Sequence, residues 1–308
     1  YSFIEMPKND FEPRLANQSI GYFSERVTDL TSKDVTPYKD LIGKWNLRKK
    51  NPDEELSEPV KPITFWIENT TPYELRDYIK QGVLAWNVAF EAAGFKNAIE
   101  VKVQPDDADW DAGDVQYNVV RWASTPSPRY SGYGPSIANP RTGEIIAADI
   151  VQEFNAIKRG YTYRKLWGYT EDNDPLEQWI VSLTMHEVGH TLGLRHNFKS
   201  SWIYNAEDIH DTSITGKSHI GSVMDYDPIN IAPEGIKQGN YFPHSPGSYD
   251  KWAIKFGYTP NLSDDEKNKI LSQSILPEYI FGTDGDAMGS PGSNIDPRAK
   301  RYDLSGDP

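Results

Sequence analysis

The sequence contains no cysteine, which limits the covalent and metal chemistry open to it. Without cysteine, the chain can form neither disulfide bonds nor thiolate metal sites. Histidine and methionine are also scarce, with 6 and 4 copies in 308 residues.

The chain has neither a net positive charge nor a long apolar run. The formal net charge of -13 argues against nucleic acid or an anionic membrane as the main partner. No apolar run reaches the length of a transmembrane helix, so we expect no membrane span. No charged-then-apolar leader opens the chain at Tyr1. We therefore expect a fragment from which any signal peptide is absent. The absence of cysteine fits an exported protein, and we expect a secreted, periplasmic or cell-envelope location.

Three of the six histidines occupy one short segment, HEVGHTLGLRH, from His186 to His196. His186 and His190, four residues apart, share one face of a helix and can point their imidazoles at one metal ion. Gly193 lets the helix end, because glycine adopts the left-handed conformation without steric cost, and the chain returns with His196. Three protein ligands are typical of a catalytic zinc site, whose fourth position holds water. Glu187 lies where it can act on that water.

A second motif, SVMDY, supplies a methionine whose adjustable thioether can lie beneath such a site. Together the two motifs resemble the metzincin superfamily of zinc endopeptidases, in which a methionine-containing turn follows the extended histidine motif. HEVGHTLGLRHNF and SVMDYDPINIAP are most similar to the bacterial secreted or envelope Met-zincin family. The resemblance implies these roles: zinc ligands His186, His190 and His196, general base Glu187, turn methionine Met224, and a tyrosine near the metal, Tyr226.

The pattern upstream of the motif predicts strands and helices in one α+β domain. Stretches rich in β-forming residues predict strands at 63–68, 98–105, 115–122 and 144–151. A long helix follows Thr71 as N-cap and Pro72 as first helical residue, and it ends at Gly94.

Two further helices are predicted before the Met-turn. One lies around Phe154–Trp167, and the zinc helix begins with Asp174 as its cap and Pro175 as its first residue. The resemblance implies a metzincin-like catalytic domain, with a twisted mixed sheet, an edge strand over the cleft, a long backing helix, the zinc helix and a mostly irregular lower subdomain.

The resemblance also implies where substrate binds. In metzincins the strand that precedes the zinc helix is an edge strand that holds extended substrate by strand addition, which here implies Ala147 and Ala148. An ordinary sheet strand is the alternative, and it predicts a covered edge. Ile229 and Ile231 follow the Met-turn, where metzincins wall the pocket for the substrate side chain just past the scissile bond.

Other polar residues have simpler interpretations. His210, His219 and His244 are interpreted as surface residues, because the ligand set is already complete. The acidic loop at 106–114 and the pair Asp284 and Asp286 in the Gly- and Pro-rich tail could bind calcium, with a solvated turn and a linker as the alternatives. We expect one catalytic Zn²⁺ and keep a structural Ca²⁺ as a possibility.

These features predict a monomeric zinc endopeptidase that acts on protein or peptide substrates. Its parts are an N-terminal arm at 1–62, a catalytic domain at 63–260 (upper subdomain 63–195, lower subdomain 196–260), and a C-terminal helix and irregular tail at 261–308. An inactive metzincin scaffold that binds protein or glycan is the alternative, although a binding module has no use for Glu187. A thermolysin-like hydrolase would need a glutamate ligand on a later helix, and no fitting motif follows.

Overall fold

The computed structural model describes residues 3–153, 175–287 and 296–306, together with the single residues 158, 161, 162 and 165. The helix predicted around Phe154–Trp167 and the cap predicted at Asp174 therefore lie outside the described residues, apart from those single positions. No helix within the described ranges is both long enough and apolar enough to cross a membrane.

The described strands fall into a small hairpin and one larger sheet. Their bounds are β1 Ser24–Thr28, β2 Tyr38–Ile42, β3 Lys44–Trp45, β4 Ile63–Ile67, β5 Ile99–Val103, β6 Asn118–Ala123, β7 Gly132–Tyr133, β8 Ser136–Ala138 and β9 Glu144–Glu153. Strands β1 and β2 pair with each other in antiparallel fashion. The larger sheet has the order β3-β9-β6-β4-β5, and β7 and β8 also pair with β9.

The larger sheet is mixed, as predicted. Strands β3, β9, β6, β4 and β5 run parallel to their neighbours, whereas β7 and β8 run antiparallel to β9. β7 and β8 fall in a stretch rich in Gly, Pro and Ser, for which the sequence alone suggests a loop. Backbone hydrogen bonds tie this stretch to β9: Asp149 N–H donates to Pro135 O at 3.1 Å, and Glu153 N–H donates to Ser131 O at 3.0 Å.

The α-helices lie before and after this sheet in the chain. Their bounds are α1 Tyr73–Ala85, α2 Asn87–Glu91, α3 Pro175–Thr191, α4 Thr212–Thr215, α5 Ser248–Tyr258, α6 Asp264–Leu271 and α7 Asp284–Ala287. Short 3₁₀ turns occupy Ser200–Ile203, Ser272–Ile275 and Pro277–Tyr279. The mixture of one larger sheet and several helices is the predicted α+β class. The chain between α3 and α5 has few regular elements, as predicted for the lower subdomain.

Helix α3 is the centre of the core. Its apolar side chains Val181, Met185 and Val188 are buried, and the face that carries His186 and Glu187 is buried as well. Helix α1 packs beside it, and the indole N–H of Trp86, just after α1, donates to Met185 O at 2.9 Å. A helix enclosed in this way holds its side chains in fixed positions, since close-packed interiors leave them few alternatives.

The residues before β4 are joined closely to the end of α3. Phe23 N–H donates to Gly193 O at 2.8 Å, and Arg195 N–H donates to Gly21 O at 2.9 Å. Tyr22 is buried, and its hydroxyl donates to Ala253 O at 2.8 Å. These bonds fix the turn that carries the chain from α3 to His196.

The turn after α3 depends on Gly193, which has a φ of +96°. A β-carbon on Gly193 would lie 2.0 Å from the carbonyl oxygen of Gly43, a backbone atom that cannot swing aside. Both the backbone conformation and the contact therefore require glycine at this position.

We predict that Gly193→Ala lowers the free energy of unfolding by more than Gly235→Ala, measured by urea denaturation with a chelator present. Gly235 has a φ of +86°, but a β-carbon added to it would meet nothing within 4 Å, so alanine there adds only backbone strain, about 1–2 kcal/mol. At Gly193 the clash should add about 1–3 kcal/mol to that strain. Equal losses in the two variants would contradict this account of the turn.

Candidate metal centre

Helix α3 and the turn after it bring the three motif histidines together. Their ligand atoms all lie within 4.8 Å of one another, in the one group of three or more His, Asp or Glu side chains within the described residues that could hold a metal. The Nε2 atoms of His190 and His196 are 3.2 Å apart. Two ligands on a tetrahedral zinc at ordinary Zn–N distances would be about 3.3 Å apart, so the spacing fits this ion.

In each histidine, the hydrogen-bond partner of Nδ1 determines that Nε2 is the nitrogen free to bind a metal. Nδ1 of His186 lies 2.8 Å from Val223 O, and Nδ1 of His190 lies 2.8 Å from Leu194 O. A carbonyl oxygen can only accept, so each Nδ1 carries the proton and each Nε2 presents a lone pair. The Nδ1 of His196 faces the Asp284 carboxylate at 3.0 Å, which fixes its tautomer in the same way.

Burial keeps the imidazoles neutral. It lowers the pKa of His190 to about 4, with the charge of His196 as the next cause. The pKa of His186 is also held well below its usual value, by burial first and then by the charges of His190 and His196. A metal binds to the neutral form of imidazole. These rings are already neutral near pH 7, so zinc binding does not require them to lose a proton first.

The Met-turn lies directly beneath α3. Met224 is fully buried, and its Sδ lies so near Gly189 that a β-carbon there would meet the sulfur at 2.2 Å. Asp250, in the first turn of α5, accepts hydrogen bonds from the Ser222 hydroxyl at 2.5 Å and from Val223 N–H at 2.9 Å. Since Val223 O in turn holds His186, Asp250 anchors the backbone that orients a candidate ligand. Sequence reasoning missed this aspartate, which looks like an ordinary helix residue.

Glu187 lies beneath the segment that joins β7 to β8. A β-carbon on Gly132 would meet the Glu187 Oε1 at 2.4 Å, and one on Gly134 would meet the Glu187 backbone oxygen at 2.4 Å. Burial raises the pKa of the Glu187 carboxyl to about 8. The two glycines thus let a strand lie close over Glu187, which is largely buried. Their G-x-G spacing lies in a stretch whose Gly, Pro and Ser content favours a loop, so the sequence alone does not indicate this strand.

Tyr226 lies beside the triad. Its ring centroid is 4.7 Å from that of His196 and 5.3 Å from that of His186. Burial raises the pKa of its hydroxyl to about 12, despite the opposing charge of Arg301. The hydroxyl therefore stays protonated near neutral pH and can donate a hydrogen bond.

Two cavities meet at these residues, and both are lined by Gly132, His186, Glu187 and Tyr226. One, of about 590 Å³, extends along residues 132–136 and along 23–25 of the N-terminal segment. The other, of about 390 Å³, is lined by the apolar side chains of Trp179, Leu183 and Phe242 together with polar groups that include Arg129. A chain laid across Glu187 could therefore reach space on both sides of it.

The predicted substrate-binding residues do not line either of these two cavities. Ala147 and Ala148 are buried in β9, where they pair with Ile137 and Ser136 of β8. The prediction that this part of β9 is the substrate edge is wrong, because β8 covers it. No further strand pairs with β7 or β8 within the described residues, so these two form the edge beside the cavity. Neither Ile229 nor Ile231 lines either cavity.

The remaining histidines are not simple surface residues. His219 is fully buried, and neither of its ring nitrogens has a hydrogen-bond partner among the described residues. Burial lowers its pKa to about 4, with the charges of His210 and His244 as further causes. Its Nε2 lies 3.6 Å from Asp227 Oδ2. His210 and His244 thus lie near enough to His219 for their charges to act on it, which sequence spacing could not indicate.

The residues present fit zinc and give no support for calcium. Three neutral nitrogen donors suit Zn²⁺, whereas Ca²⁺ is bound by six to eight oxygens. The acidic loop at 106–114 forms no metal-holding group within the described residues. The Asp284 carboxylate does not form a separate cation site. It accepts a hydrogen bond from His196 and forms an ion pair with Arg301 at 2.8 Å.

Comparison with known proteins adds one informative match. A family model described as Met-zincin matches residues 169–308, which include the histidine motif and the Met-turn. Among curated proteins, no match to the chain was found. A solved structure described as "Structure of myroilysin" is 15% identical with a TM-score of 0.31, covering 66% of this chain and 94% of its own. Another, described as "GM1 bound form of the ECX AB5 holotoxin", is 15% identical with a TM-score of 0.26, covering 46% and 55%. Both structural likenesses are too weak to bear on function.

We predict that Glu187→Gln stabilises the metal-free chain more at pH 7 than at pH 5. Burial raises the folded pKa from 4.5 to about 8, so the folded chain holds a proton in this window that the unfolded chain releases. Because the folded chain binds more protons, the free energy of unfolding of the wild type falls by about 2–3 kcal/mol between pH 5 and pH 7. Glutamine cannot titrate, so this fall is absent from the variant.

Urea denaturation with a chelator at both pH values measures this difference. Glu177→Gln is the matched control, because Glu177 lies on the same helix with its side chain exposed. Its free energy of unfolding should differ little from that of the wild type, because the side chain is exposed. A pH-independent difference for Glu187→Gln would show that this carboxyl does not hold a proton in the folded chain.

Proposed function

We propose, on the premise that residues 169–308 belong to the Met-zincin family, that this chain is a zinc-dependent endopeptidase. The observation that carries the proposal is the 3.2 Å approach of two Nε2 atoms, on His190 and His196, whose tautomers make both of them acceptors. Two lone pairs at this distance repel each other unless a cation lies between them. His186, His190 and His196 would hold that cation as zinc.

Zinc, when bound, would polarise the scissile carbonyl and favour an attacking water near neutral pH. Glu187 accepts the proton of the attacking water and then passes it to the leaving amine. Its position supports this role, because Glu187 lies beside His186 and lines both of the cavities that meet at the triad. Tyr226 keeps its hydroxyl proton and donates it in a hydrogen bond to the oxygen where negative charge develops.

Extended peptide substrate would lie along β7 and β8 rather than along β9. The unpaired side of these strands runs beside the cavity that contains the triad. A peptide added there as a further strand would be held through its backbone, with little dependence on its side chains. Selectivity would come from the neighbouring cavity, which offers the apolar side chains of Trp179, Leu183 and Phe242 beside polar groups that include Arg129.

The first test is cleavage of an unstructured protein such as casein by the purified chain, with zinc content measured on the same samples. We expect stoichiometric zinc, cleavage that a chelator abolishes, and recovery on adding zinc back. Glu187→Gln should keep its zinc and lose cleavage by about 10²–10⁴-fold, the usual contribution of a general base. Glu177→Gln, the matched control on the same helix, should cleave like the wild type.

Two outcomes would count against the proposal. Failure of the wild type to bind zinc would remove the metal centre itself. Zinc bound without cleavage would favour the inactive scaffold, a protein- or glycan-binding module on the same fold.

A separate prediction concerns Tyr226. Tyr226→Phe should lower kcat by about 10²–10³-fold with little change in KM, because the lost hydrogen bond acts only where charge develops. Tyr302→Phe is the control, since Tyr302 stacks on Tyr226 at 6.0 Å but has a mostly exposed ring. Steady-state kinetics on a fluorogenic peptide distinguish the two, and an unchanged kcat in Tyr226→Phe would leave Tyr226 only a packing role.

A further inference from the structure

His196 differs from the other two histidines in what holds it. His186 and His190 are oriented by the backbone carbonyls of Val223 and Leu194. The Nδ1 of His196 instead faces both carboxylate oxygens of Asp284, at 3.1 and 3.0 Å, from 88 residues further along the chain. A charged acceptor binds this N–H more strongly than a neutral carbonyl and makes the opposite nitrogen a better donor to a metal.

Asp284 is itself fixed by the last described segment of the chain. The guanidinium of Arg301 donates to Asp284 Oδ1 at 2.8 Å. The same guanidinium lies over the rings of Phe198 and Tyr226, at 4.7 and 5.2 Å from their centroids. Arg301 therefore links the carboxylate that orients His196 to the tyrosine beside the triad.

Backbone hydrogen bonds hold this segment against the turn that carries His196. Phe198 N–H donates to Gly282 O at 2.6 Å, and Lys300 N–H donates to Phe198 O at 2.9 Å. Tyr302 N–H donates to Tyr226 O at 2.9 Å. The residues around Asp284 and Arg301 are thus part of the site, which corrects the interpretation of this tail as a linker.

We propose that Asp284, held by Arg301, is a positioning residue that sets the tautomer and orientation of His196 and so raises the affinity of the triad for zinc. This inference rests on the proposed function only in taking the triad to hold zinc. It makes the C-terminal segment a working part of the metal centre.

The test is the zinc dissociation constant of the metal-stripped full chain, measured by competition with a chromophoric chelator. Asp284→Asn and Asp284→Ala should each weaken zinc binding by about 10–100-fold, the usual effect of removing such a partner of a metal-bound histidine. The visible absorption of the Co²⁺-loaded protein should change as well, because it reports the geometry around the metal.

Asp286→Asn is the matched control. Asp286 lies in the same short helix and accepts a hydrogen bond from Thr283 N–H at 2.8 Å, but it is not among the partners of His196. Asp286→Asn loosens the same turn but leaves the Asp284 carboxylate beside the His196 ring. The zinc affinity and the Co²⁺ spectrum should therefore stay as in the wild type.

The outcomes separate this inference from the proposed function. Wild-type zinc affinity in both Asp284 variants would overturn the positioning role, and so would an equal loss of affinity in Asp286→Asn. A wild-type chain that binds zinc but cleaves nothing would overturn the peptidase proposal, while weaker zinc binding in the Asp284 variants would still support this one. A wild-type chain that binds no zinc would overturn both.

Discussion

The repulsion between imidazole lone pairs is the constraint on which the rest of the site depends. Three rings whose Nε2 atoms converge can be held in a folded chain only if each Nδ1 has a fixed acceptor and the rings are tightly packed. Each acceptor comes from a different part of the chain: the Met-turn through Val223, the end of α3 through Leu194, and the C-terminal segment through Asp284. The lower part of the molecule needs little regular structure, because its role is to present these acceptors.

The same constraint explains why buried carboxylates surround the site. Asp250 carries no metal-binding role, yet it organises Ser222, Val223 and Gly247 N–H through hydrogen bonds at 2.5, 2.9 and 2.8 Å. A buried aspartate is costly unless such donors surround it, and burial does raise its pKa to about 6. These hydrogen bonds let Asp250 fix the Met-turn, a loop that contains no helix or strand.

The sequence predicts the centre of this arrangement better than its surroundings. The spacing of His186, His190 and His196 predicts their convergence because helix geometry and a glycine turn fix it locally. Asp284 and Arg301 could not be found in this way, since their contact with His196 depends on tertiary packing across a long separation. Likewise β7 and β8 are strands because β9 offers them backbone partners, not because Gly132 or Gly134 favours a strand. The division of the chain into arm, catalytic domain and tail stays a prediction.

The distance in sequence between His196 and its support has a consequence for how the protein is made. A ribosome releases the chain in order, so α3 and the Met-turn exist before Asp284 and Arg301 have been synthesised. A chain synthesised only as far as the Met-turn has all three imidazoles but not the carboxylate that orients His196, and it should hold metal more weakly than a chain that extends past Arg301. The full affinity of the triad for metal is then reached only after synthesis has passed Arg301.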